Sequence, residues 1–466
     1  MNMKIAVCIK VTEGELNPFD EAALECALQT GGEITAVSMC PKSAEPALLR
    51  LTRLGVRAIL LSDPVFAGSD TLATGYILSC ALKKLRPDLI LCGRQSIDGD
   101  TAQVGPCLSA LLDIPVITNV MELPVIGNLV RCKTRLGDCE AELPCLLTIE
   151  RICRLRFPKL GSRAGRVEVW NRGMIGAAAD RCGLLGSPTA VLRVFENQKG
   201  RRKCEFISRS ELMPLLARLS ASQRTEKAYV QPMTPMEEVW TIGEMKEAEA
   251  IAKRVVVIPR TSPREIAALA REKQPEAILW SADLWGRKNA PIAAALLETG
   301  LCADCTALET DGKRLYMYRP ARSGSVTAKI MCRTKPQMAT VRTEGESGAL
   351  VVAAGRGVLG VLEKVKSFAD ALGAELCASR GLVDLGAMPY SAQVGLTGRT
   401  VSPGIYIAVG ISGAVHHTCA IENAGTVIAI NPDPNARIFD YADYGITEKF
   451  EIWQDRCHQF QNTSLI

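Results

Sequence analysis

The sequence predicts an α/β protein built on parallel sheets, and three observations support this fold class. Between Met1 and Arg94, apolar runs of strand length alternate with helical patterns, which is typical of a parallel sheet with crossover helices. In the stretch 349–379, an apolar run, a G-x-G-x-x-G motif at Gly355–Gly360, a helical pattern and a second apolar run form one βαβ unit. At 466 residues, the chain is too long for one compact core, so two or three domains are expected.

The elements of the first segment follow one another in an alternating series. In chain order, the segments are the strand KIAVCIKV, the helix DEAALECALQT, the strand EITAVSMCP, the helix AEPALLRLTRLG, the strand VRAILLSD, the helix DTLATGYILSCALKKL and the strand PDLILCGR. A stretch with hairpin character follows from Ile117 to Ile149, with a turn signal at 126–128. The polar region 197–236 is interpreted as an arm and linker. A second α/β segment begins near Glu237 with the strands RVVVIP and EAILWS.

Two βα units of the chain share one plan. RPDLILCGRQSIDGDTAQVGPCLSALLDIP and QPEAILWSADLWGRKNAPIAAALLETGL each have an acid after a proline, an apolar strand, a polar loop and a helix rich in Ala and Leu. This similarity is consistent with an internal duplication. It is also consistent with two unrelated βα units, which resemble one another in general.

The composition argues against nucleic-acid-binding, secreted and membrane-inserted proteins. Hydrophobic residues make up 47% of the chain, aromatic residues 5%, and the net charge is +5. The positive charge is spread along the chain, so nucleic acid is not expected as a partner. Met1–Lys10 leads directly into a strand without a small-residue cleavage site, and no apolar run reaches about 18 residues. We therefore expect neither a signal peptide nor insertion into a membrane.

The cysteines do not form a metal-binding pattern. Most of the 18 cysteines stand singly in apolar runs, where cysteine behaves as a small hydrophobic residue. Cys302 and Cys305 form a C-x-x-C motif without a second pair at zinc spacing, and the chain has only 3 histidines. The sequence predicts no metal site, and abundant unpaired cysteine favours the reducing cytoplasm.

The G-x-G-x-x-G unit alone leaves its ligand open. An NAD-binding unit ends its second strand in an acid that binds the ribose hydroxyls. Here Arg380 follows that strand, and the first later acid is Asp384. An arginine at this position suits the extra phosphate of NADP, another phosphate or an electron-rich ring. A glycine turn without any ligand is also consistent with the motif.

The segment Pro389–Ile446 concentrates glycines and polar side chains at predicted strand ends. QVGLTGR combines glycines, a hydroxyl and a cation in one turn, and GIYIAVG is a buried strand. ISGAVHH opens a helix whose first N–H groups suit an anion, and TVIAIN is a strand that ends in an asparagine. Polar groups therefore converge at two strand ends, where doubly wound sheets bind ligands.

These motifs carry a resemblance to a known family. The series Q-V-G-x-T-G, P-x-x-Y, G-I-S-G-A, A-I-N and A-D-Y-G-I resembles the FAD-binding domain of the electron transfer flavoprotein alpha subunit. The resemblance implies that residues 346–466 form a Rossmann-like FAD-binding domain. Residues 237–345, with LCADCT and KPQMATVR, resemble the N-terminal α/β domain of the same subunit.

The front of the chain resembles the beta subunit of that family. Residues 1–205 contain, in order, MKIAVCIK, NPFDEAALE, FAGSDTLAT, CGRQSIDGDTAQVGP, LPCLLTI and GSPTAVLRVF. Residues 206–236 then form the arm and linker. The resemblance implies that two subunits, which are normally separate polypeptides, are fused here with beta first.

The resemblance also implies the residues that contact FAD. They are Arg356, Ser379, Arg380, Val394, Gly395, Leu396, Thr397, Ser412, Gly413, Ala414, Val415, His416, His417 and Asn431. Arg380 and His417 suit a flavin that gains negative charge on reduction, because cations stabilise the anionic form. Thr397 can donate to a flavin nitrogen. The peptide N–H groups of 412–417 suit phosphate or the pyrimidine carbonyls.

A second nucleotide is implied in the beta-like segment. Its expected contacts are Cys8, Asn17, Asp70, Thr71, Thr74, Arg94, Gln95, Asp98, Gly99, Asp100, Thr101, Ala102, Gln103 and Val104. Many family members hold AMP there, whereas FAGSDTLAT with QSIDGDTAQVGP resembles the electron-bifurcating branch, which holds a second FAD. The amides of the loop 98–103 are expected to cradle a phosphate. Because acids repel phosphate, Asp98 and Asp100 are expected to face ribose or backbone N–H groups.

The function implied by the resemblance is electron transfer. The chain is expected to relay electrons between dehydrogenases through FAD, as an electron carrier without catalytic residues of its own. The expected partner is an acyl-CoA dehydrogenase or a similar enzyme, joined by NADH and ferredoxin or flavodoxin if the protein bifurcates electrons. Two alternatives stay open: an NAD(P)-dependent Rossmann-type dehydrogenase, and a nucleotide-binding module without redox activity.

Overall fold

Short apolar runs form most strands of the protein, as their length and composition predict.

The structure is a computed structural model. It describes residues 3–127, 129–135, 137–196, 202–221, 234–322, 326–342, 349–395, 398–422 and 424–450. The chain forms two compact units. The first unit comprises Met1–Val194, Met233–Arg322 and Ala328–Val341, and the second comprises Phe195–Pro232, Ser323–Thr327 and Arg342–Ile466.

The strands of the described residues are numbered in chain order. They are β1 Lys4–Cys8, β2 Val11–Thr12, β3 Glu15–Leu16, β4 Glu33–Met39, β5 Arg57–Leu61, β6 Leu89–Gly93, β7 Val116–Val120, β8 Val125–Ile126, β9 Val130–Thr134, β10 Gly137–Ala141, β11 Cys145–Ile149, β12 Val167–Trp170, β13 Thr189–Glu196, β14 Glu205–Phe206, β15 Met236–Ile242, β16 Ala252–Ile258, β17 Ala277–Ser281, β18 Leu301–Cys305, β19 Ala307–Thr310, β20 Leu315–Ala321, β21 Val326–Cys332, β22 Gln337–Val341, β23 Leu350–Ala354, β24 Glu375–Ser379, β25 Gln393–Val394, β26 Ile405–Val409, β27 Thr426–Ile430 and β28 Tyr444–Ile446.

The α-helices of the described residues are numbered in the same way. They are α1 Pro18–Thr30, α2 Glu45–Thr52, α3 Thr71–Leu85, α4 Val104–Leu112, α5 Arg172–Ile175, α6 Arg209–Ala221, α7 Pro263–Lys273, α8 Leu284–Leu297, α9 Leu362–Ala371, α10 Arg380–Asp384 and α11 Val415–Thr418. Side-chain caps fix several helix starts: Asp70 accepts the amide of Ala73 at 3.0 Å at the start of α3. Within the described residues, no helix is long and apolar enough to cross a membrane.

The largest sheet of the first unit is parallel through its centre. Its order is β10-β9-β7-β11-β6-β1-β4-β5-β12. The pairs from β7 to β12 are parallel, and β7, β9 and β10 pair antiparallel, which confirms the predicted hairpin character. From β1 the chain winds outward through β4 and β5, and it then returns to β6 on the other side of β1. The topological switch point therefore lies between β1 and β6.

A smaller parallel sheet in the same unit has the order β16-β15-β17-β22-β18, with its switch point between β15 and β17. The connection from β17 to α8 is short, since β17 ends at Ser281 and α8 begins at Leu284. Trp280, on this strand, is fully buried and stacks on Trp285 with ring centroids 5.7 Å apart. The guanidinium of Arg260 lies 5.3 Å from the Trp285 ring centroid. Indole rings therefore fill the space beside this strand end.

The sheet of the second unit has the order β14-β28-β27-β26-β23-β24-β25, and all its pairs are parallel. Starting from β23, the chain adds β24 and β25 on one side and then β26, β27 and β28 on the other. That is the strand order of doubly wound nucleotide-binding folds, and it places the switch point between β23 and β26.

The segment predicted as arm and linker contains a packed helix. Within 206–236, α6 buries Leu212, Leu215 and Leu216 in the apolar core of the second unit. Their i, i+3, i+4 spacing gives the helix one apolar face, which the polar flanking segments concealed in the sequence. Residues 222–233 lie outside the described residues. Helix α6 lies between the polar stretches ENQKGRRKCE and ASQRTEK and adds a packed element to the predicted arm and linker.

We predict that Gly355→Ala lowers the stability of the second unit. A Cβ at this position would meet the Gly410 carbonyl oxygen at 2.0 Å, so the backbone would have to move. Overpacking of this kind reduces the free energy of unfolding by about 1–3 kcal/mol. Gly360→Ala is the matched control, because a Cβ there meets nothing within 4 Å. Urea denaturation should give a lower midpoint for Gly355→Ala only, and equal midpoints would contradict the predicted close approach.

Candidate nucleotide-binding sites

The first candidate site lies at the switch point of the second unit. Each described residue predicted to contact FAD lies at or beyond the carboxyl end of a strand of this sheet. Arg356 follows β23, Ser379 ends β24, and Arg380 begins α10. Val394 ends β25 and Gly395 follows it. The residues that follow β26 are Ser412, Gly413, Ala414, Val415, His416 and His417, and Asn431 follows β27. Leu396 and Thr397 lie outside the described residues. The sheet thus brings these residues to one edge.

Glycines bring the loops of this edge into close backbone contact. The Gly355 amide donates to the Val409 carbonyl at 2.7 Å, and the Gly357 amide donates to the Gly410 carbonyl at 3.2 Å. These two amides of the G-x-G-x-x-G motif therefore bond the neighbouring loop. Gly413 has φ of +82°, and a Cβ there would meet the Ile438 amide nitrogen at 2.1 Å. Both loops need glycine because other backbone lies directly against them.

His417 is neutral in this structure, which corrects the prediction that it supplies a cation. Its ring is buried, with Nδ1 3.1 Å from the Val394 carbonyl oxygen and Nε2 2.8 Å from the Tyr406 hydroxyl. Because a carbonyl only accepts, Nδ1 carries a proton, and in the neutral ring Nε2 then accepts from the tyrosine hydroxyl. Burial lowers the pKa of His417 to about 4, although the Val394 carbonyl opposes the shift. His417 therefore acts as a neutral link between β25 and β26.

Arg380 is half-buried and has an acidic neighbour. Its Nε donates to Asp384 Oδ2 at 3.0 Å, one helical turn further along α10. Side-chain exposure is 34% for the arginine and 38% for the aspartate. The cation expected beside the flavin is therefore part of an ion pair, whose strength is reduced by solvent.

Asn431 holds the loop that follows β26. Its Nδ2 donates to the Ile411 carbonyl at 2.9 Å, and its Oδ1 accepts the Asp433 amide at 3.0 Å. The side chain thereby connects the carboxyl ends of β26 and β27. Ser412, Ala414 and His416 on the same loop are exposed. Asn431 therefore positions the loop on which these three exposed residues lie.

The second candidate site is a cavity of about 330 Å³ at the switch point between β1 and β6. Twelve of the residues predicted to contact a second nucleotide line it. They are Cys8, Asn17, Asp70, Thr71, Thr74, Arg94, Gln95, Gly99, Thr101, Ala102, Gln103 and Val104. The cavity lies at the lower end of the size range of small-molecule sites.

The two acids of the 98–103 loop were predicted to face ribose or backbone N–H groups, and neither is part of the cavity lining. Asp98 accepts a hydrogen bond from the Gly99 backbone, in line with this prediction. Asp98 pairs with Lys10 at 2.7 Å. Burial would raise the pKa of Asp98, but the hydrogen bond and charge of Lys10 outweigh it and lower the pKa. Asp100 is buried and accepts from the Gln95 side chain at 3.2 Å. Side chains of the protein therefore bond both carboxylates.

Asp70 and Arg94 line the cavity but are also bonded within the protein. Asp70 Oδ2 accepts from the Thr189 amide at 2.9 Å and from its hydroxyl at 2.6 Å. Arg94 is buried, and its Nε lies 3.4 Å from Glu150 Oε1. Glu150 also pairs with the buried Arg135 at 2.9 Å. Two guanidinium groups thus share one carboxylate, and Arg94, one of the two, lines the cavity.

The sequence analysis missed Lys10 and Asp20, which both line the cavity. Asp20 is buried in the first turn of α1, and its carboxylate accepts the amides of Lys10 at 2.8 Å and of Gly93 at 3.0 Å. It therefore joins the ends of β1 and β6. Burial raises the pKa of Asp20 to about 7, against the opposing effect of these amides. An available signal was its place in NPFDEAALE, in the first turn of an apolar helix, where an acid is common.

Two family profiles match the chain. One, described as "Electron transfer flavoprotein domain", matches residues 5–173 and 258–357, which together make up more than half of the chain. The other, described as "Electron transfer flavoprotein FAD-binding domain", matches residues 346–422. The chain belongs to the electron transfer flavoprotein family. The first profile covers both βα units that share one plan in the sequence, so the same family description applies to both.

Curated relatives of the electron transfer flavoprotein family are similar to the chain at about 40% identity. The alpha subunit of Thermoanaerobacterium thermosaccharolyticum is 39% identical over 230 residues, which cover 39% of this chain and 70% of the relative. Protein FixA of Azorhizobium caulinodans is 38% identical over 222 residues, with coverage of 43% and 79%. The beta subunit of Megasphaera elsdenii is 41% identical over 201 residues, with coverage of 38% and 74%. These matches confirm the family resemblance and do not favour the two alternative functions.

We predict that Asp20 makes this electron transfer flavoprotein less stable as the pH rises from about 4 to about 7. The folded-state pKa of about 7 lies above the ordinary 3.8, so the unfolded chain loses this proton first. Above pH 7 the resulting loss is on the order of 4 kcal/mol for the stated pKa change, from 3.8 to about 7. Asp20→Asn should remove this slope in thermal unfolding at a series of pH values.

Asp63→Asn is the matched control for this pH series. The amides of Arg172 and Val65 lower the pKa of Asp63, so both its folded and unfolded forms are ionised above about pH 5. Its substitution should shift stability by a constant amount between pH 5 and 8. If wild type and Asp20→Asn keep parallel curves, Asp20 does not titrate in this range.

Proposed function

We propose that this chain is a beta-like and an alpha-like electron transfer flavoprotein subunit in one polypeptide, which relays electrons between dehydrogenases through FAD. Relatives named as alpha and as beta subunits each cover about 40% of the chain and most of their own length, which supports the fusion. The proposed domains are a beta-like domain at 1–205, an arm and linker at 206–236, an alpha-like N-terminal domain at 237–345 and a FAD-binding domain at 346–466. The arm and linker contains α6. The proposed location is the cytoplasm.

The carboxyl edge of the second unit's sheet fits FAD. The match of residues 346–422 to a FAD-binding domain and the convergence of predicted contacts at one switch point both support this assignment. Gly413 adds to the fit, because a Cβ at this position would clash with the backbone of Ile438 and displace the exposed loop 412–417. FAD, when bound, supplies the redox chemistry.

The protein's own residues bind and tune the cofactor in this proposal. Ser379, Arg380 and Arg356 lie where two neighbouring strands end, and they offer a hydroxyl and two cations. The loop 412–417 offers peptide N–H groups, and Asn431 holds it in place. Arg380 stabilises negative charge that develops on the flavin. His417, which is neutral, orients β25 against β26 and contributes no charge.

The cavity of the first unit is proposed to hold the adenosine-phosphate part of a second nucleotide, which FAD and AMP share. Asn17 fits this role: it is buried and lines the cavity, its Nδ2 donates to Gln95 at 2.8 Å, and its Oδ1 has no partner among the described residues. A buried acceptor of this kind is completed by a donor such as an adenine amino or ribose hydroxyl group. The loop 98–103 lies beside the start of α4, where an anion is favoured.

The identity of this second nucleotide decides between two modes of electron transfer. A second FAD corresponds to electron bifurcation, with NADH as donor and ferredoxin or flavodoxin as one acceptor. AMP corresponds to simple relay from an acyl-CoA dehydrogenase or a similar enzyme. The sequence motifs FAGSDTLAT and QSIDGDTAQVGP favour the second FAD.

We predict close to two flavins per chain in the purified protein. The expected result follows from one FAD at each switch point, and it is measured by absorption of the supernatant after denaturation. One flavin and one AMP would assign the relay mode and still support both sites. One flavin without another nucleotide, after saturation with FAD and AMP, would leave the cavity without the proposed ligand. A colourless protein that does not take up FAD would contradict the proposed function.

We predict that Arg380→Ala lowers the reduction potential of the alpha-side FAD. Removing the guanidinium removes stabilisation of about 1 kcal/mol from the anionic reduced form, because the side chain is half-exposed and solvent screens it. Asp384→Asn is the opposing control, since it removes the negative partner 3.0 Å from Arg380 Nε and should raise the potential. Redox titration checks both. Unchanged potentials with FAD still bound would refute the role of Arg380.

A further inference from the structure

The loop 98–103 of the first unit has a conformation that needs outside support. Asp100 has φ of +51° and Ala102 has φ of +55°, both in the left-handed region. Neither residue is a glycine, and each such position raises the energy by about 1–3 kcal/mol. The loop nevertheless lines the nucleotide cavity with Gly99, Thr101 and Gln103. Contacts from elsewhere must therefore hold it in this shape.

Those contacts come from a distant part of the same unit, residues 301–322. The Arg319 guanidinium donates from Nη1 to the Gly99 carbonyl at 2.7 Å. The Arg322 amide donates to the Asp98 carbonyl at 3.1 Å. The Gln103 side chain donates to the Leu301 carbonyl at 3.3 Å. Three hydrogen bonds thus tie the loop to the segment that resembles the alpha subunit.

The contact of Arg319 differs from the other two because its donor is a buried, charged side chain. Its side chain is only 5% exposed, Nε donates to the Ala303 carbonyl at 2.8 Å, and Nη2 has no partner among the described residues. The acids near it have other partners: Asp98 pairs with Lys10, Asp304 pairs with Arg287, and Asp100 accepts from the Gln95 side chain. Among the described residues, Arg319 therefore pairs with no carboxylate, and its guanidinium lies behind the cavity wall that Gly99 forms. An uncompensated buried cation is unfavourable unless an anion is near.

We propose that Arg319 is a positioning residue for the phosphate of the nucleotide in the beta-like cavity. It holds the 98–103 loop in its strained conformation through Gly99, and its charge favours an anionic ligand on the other side of that loop. Binding of the second nucleotide thereby depends on a residue of the alpha-like segment. This inference rests on the proposed second nucleotide site.

The test compares AMP and adenosine binding to the full-length chain by calorimetric titration. Arg319→Gln should weaken AMP about tenfold, the change expected when one charge-assisted contact is lost, and should change adenosine binding much less. Arg319→Lys keeps the charge and should restore part of the affinity for AMP. If the purified chain already holds two flavins, FAD is the probe and flavin retained per chain after gel filtration is the readout.

Arg264→Gln is the matched control. The ion pair of Arg264 with Asp113 also joins the alpha-like segment to the beta-like segment. Both side chains are more than half-exposed, and neither lines the cavity. This variant should bind AMP like wild type. If Arg319→Gln binds AMP like wild type, or weakens AMP and adenosine equally, the positioning role is refuted. If wild type itself takes neither AMP nor FAD into the cavity, the proposed second site fails and this inference fails with it.

Discussion

Both candidate sites depend on one constraint of parallel sheets, the divergence of the chain at a switch point. Where two neighbouring parallel strands continue in opposite directions, their following loops separate and leave a gap at the carboxyl edge. The pairs β1 with β6 and β23 with β26 each create such a gap. Backbone groups at these ends must then be bonded by loops or by inserted side chains. Asp20 does this in the first unit, and the amides of Gly355 and Gly357 do it in the second.

Charge pairing is a second property that the two edges share. Arg380 faces Asp384, Lys10 faces Asp98, and Arg94 shares Glu150 with Arg135. A cation with a nearby carboxylate presents a weaker and more local field than an isolated one. At both edges, carboxylates of the protein therefore balance these cations locally. This arrangement is consistent with the modest net charge of +5 for the whole chain.

The sequence predicted the parts of this structure that depend on local pattern. Apolar runs of five to seven residues marked strands such as β23 and β26, and the residues at strand ends came together because parallel strands share an edge. Other features depend on what surrounds a residue in space. The neutral state of His417 follows from its complete enclosure, and the place of Asp20 follows from two strand ends that are far apart in sequence. Helix α6 was missed because its apolar face lies within a polar region.

The stacked indoles of Trp280 and Trp285 distinguish the strand ends of the smaller parallel sheet from those of the larger sheet in the first unit. In the module built around β15 and β17, rings close the space beside the strand end, and the connection to the following helix is too short to form a loop around a ligand. Beside the ends of β1 and β6, by contrast, lies the cavity of about 330 Å³. Tightly packed side chains resist deformation, so the β17 strand end is a stiff support for the segment that Arg319 bonds to the open loop 98–103.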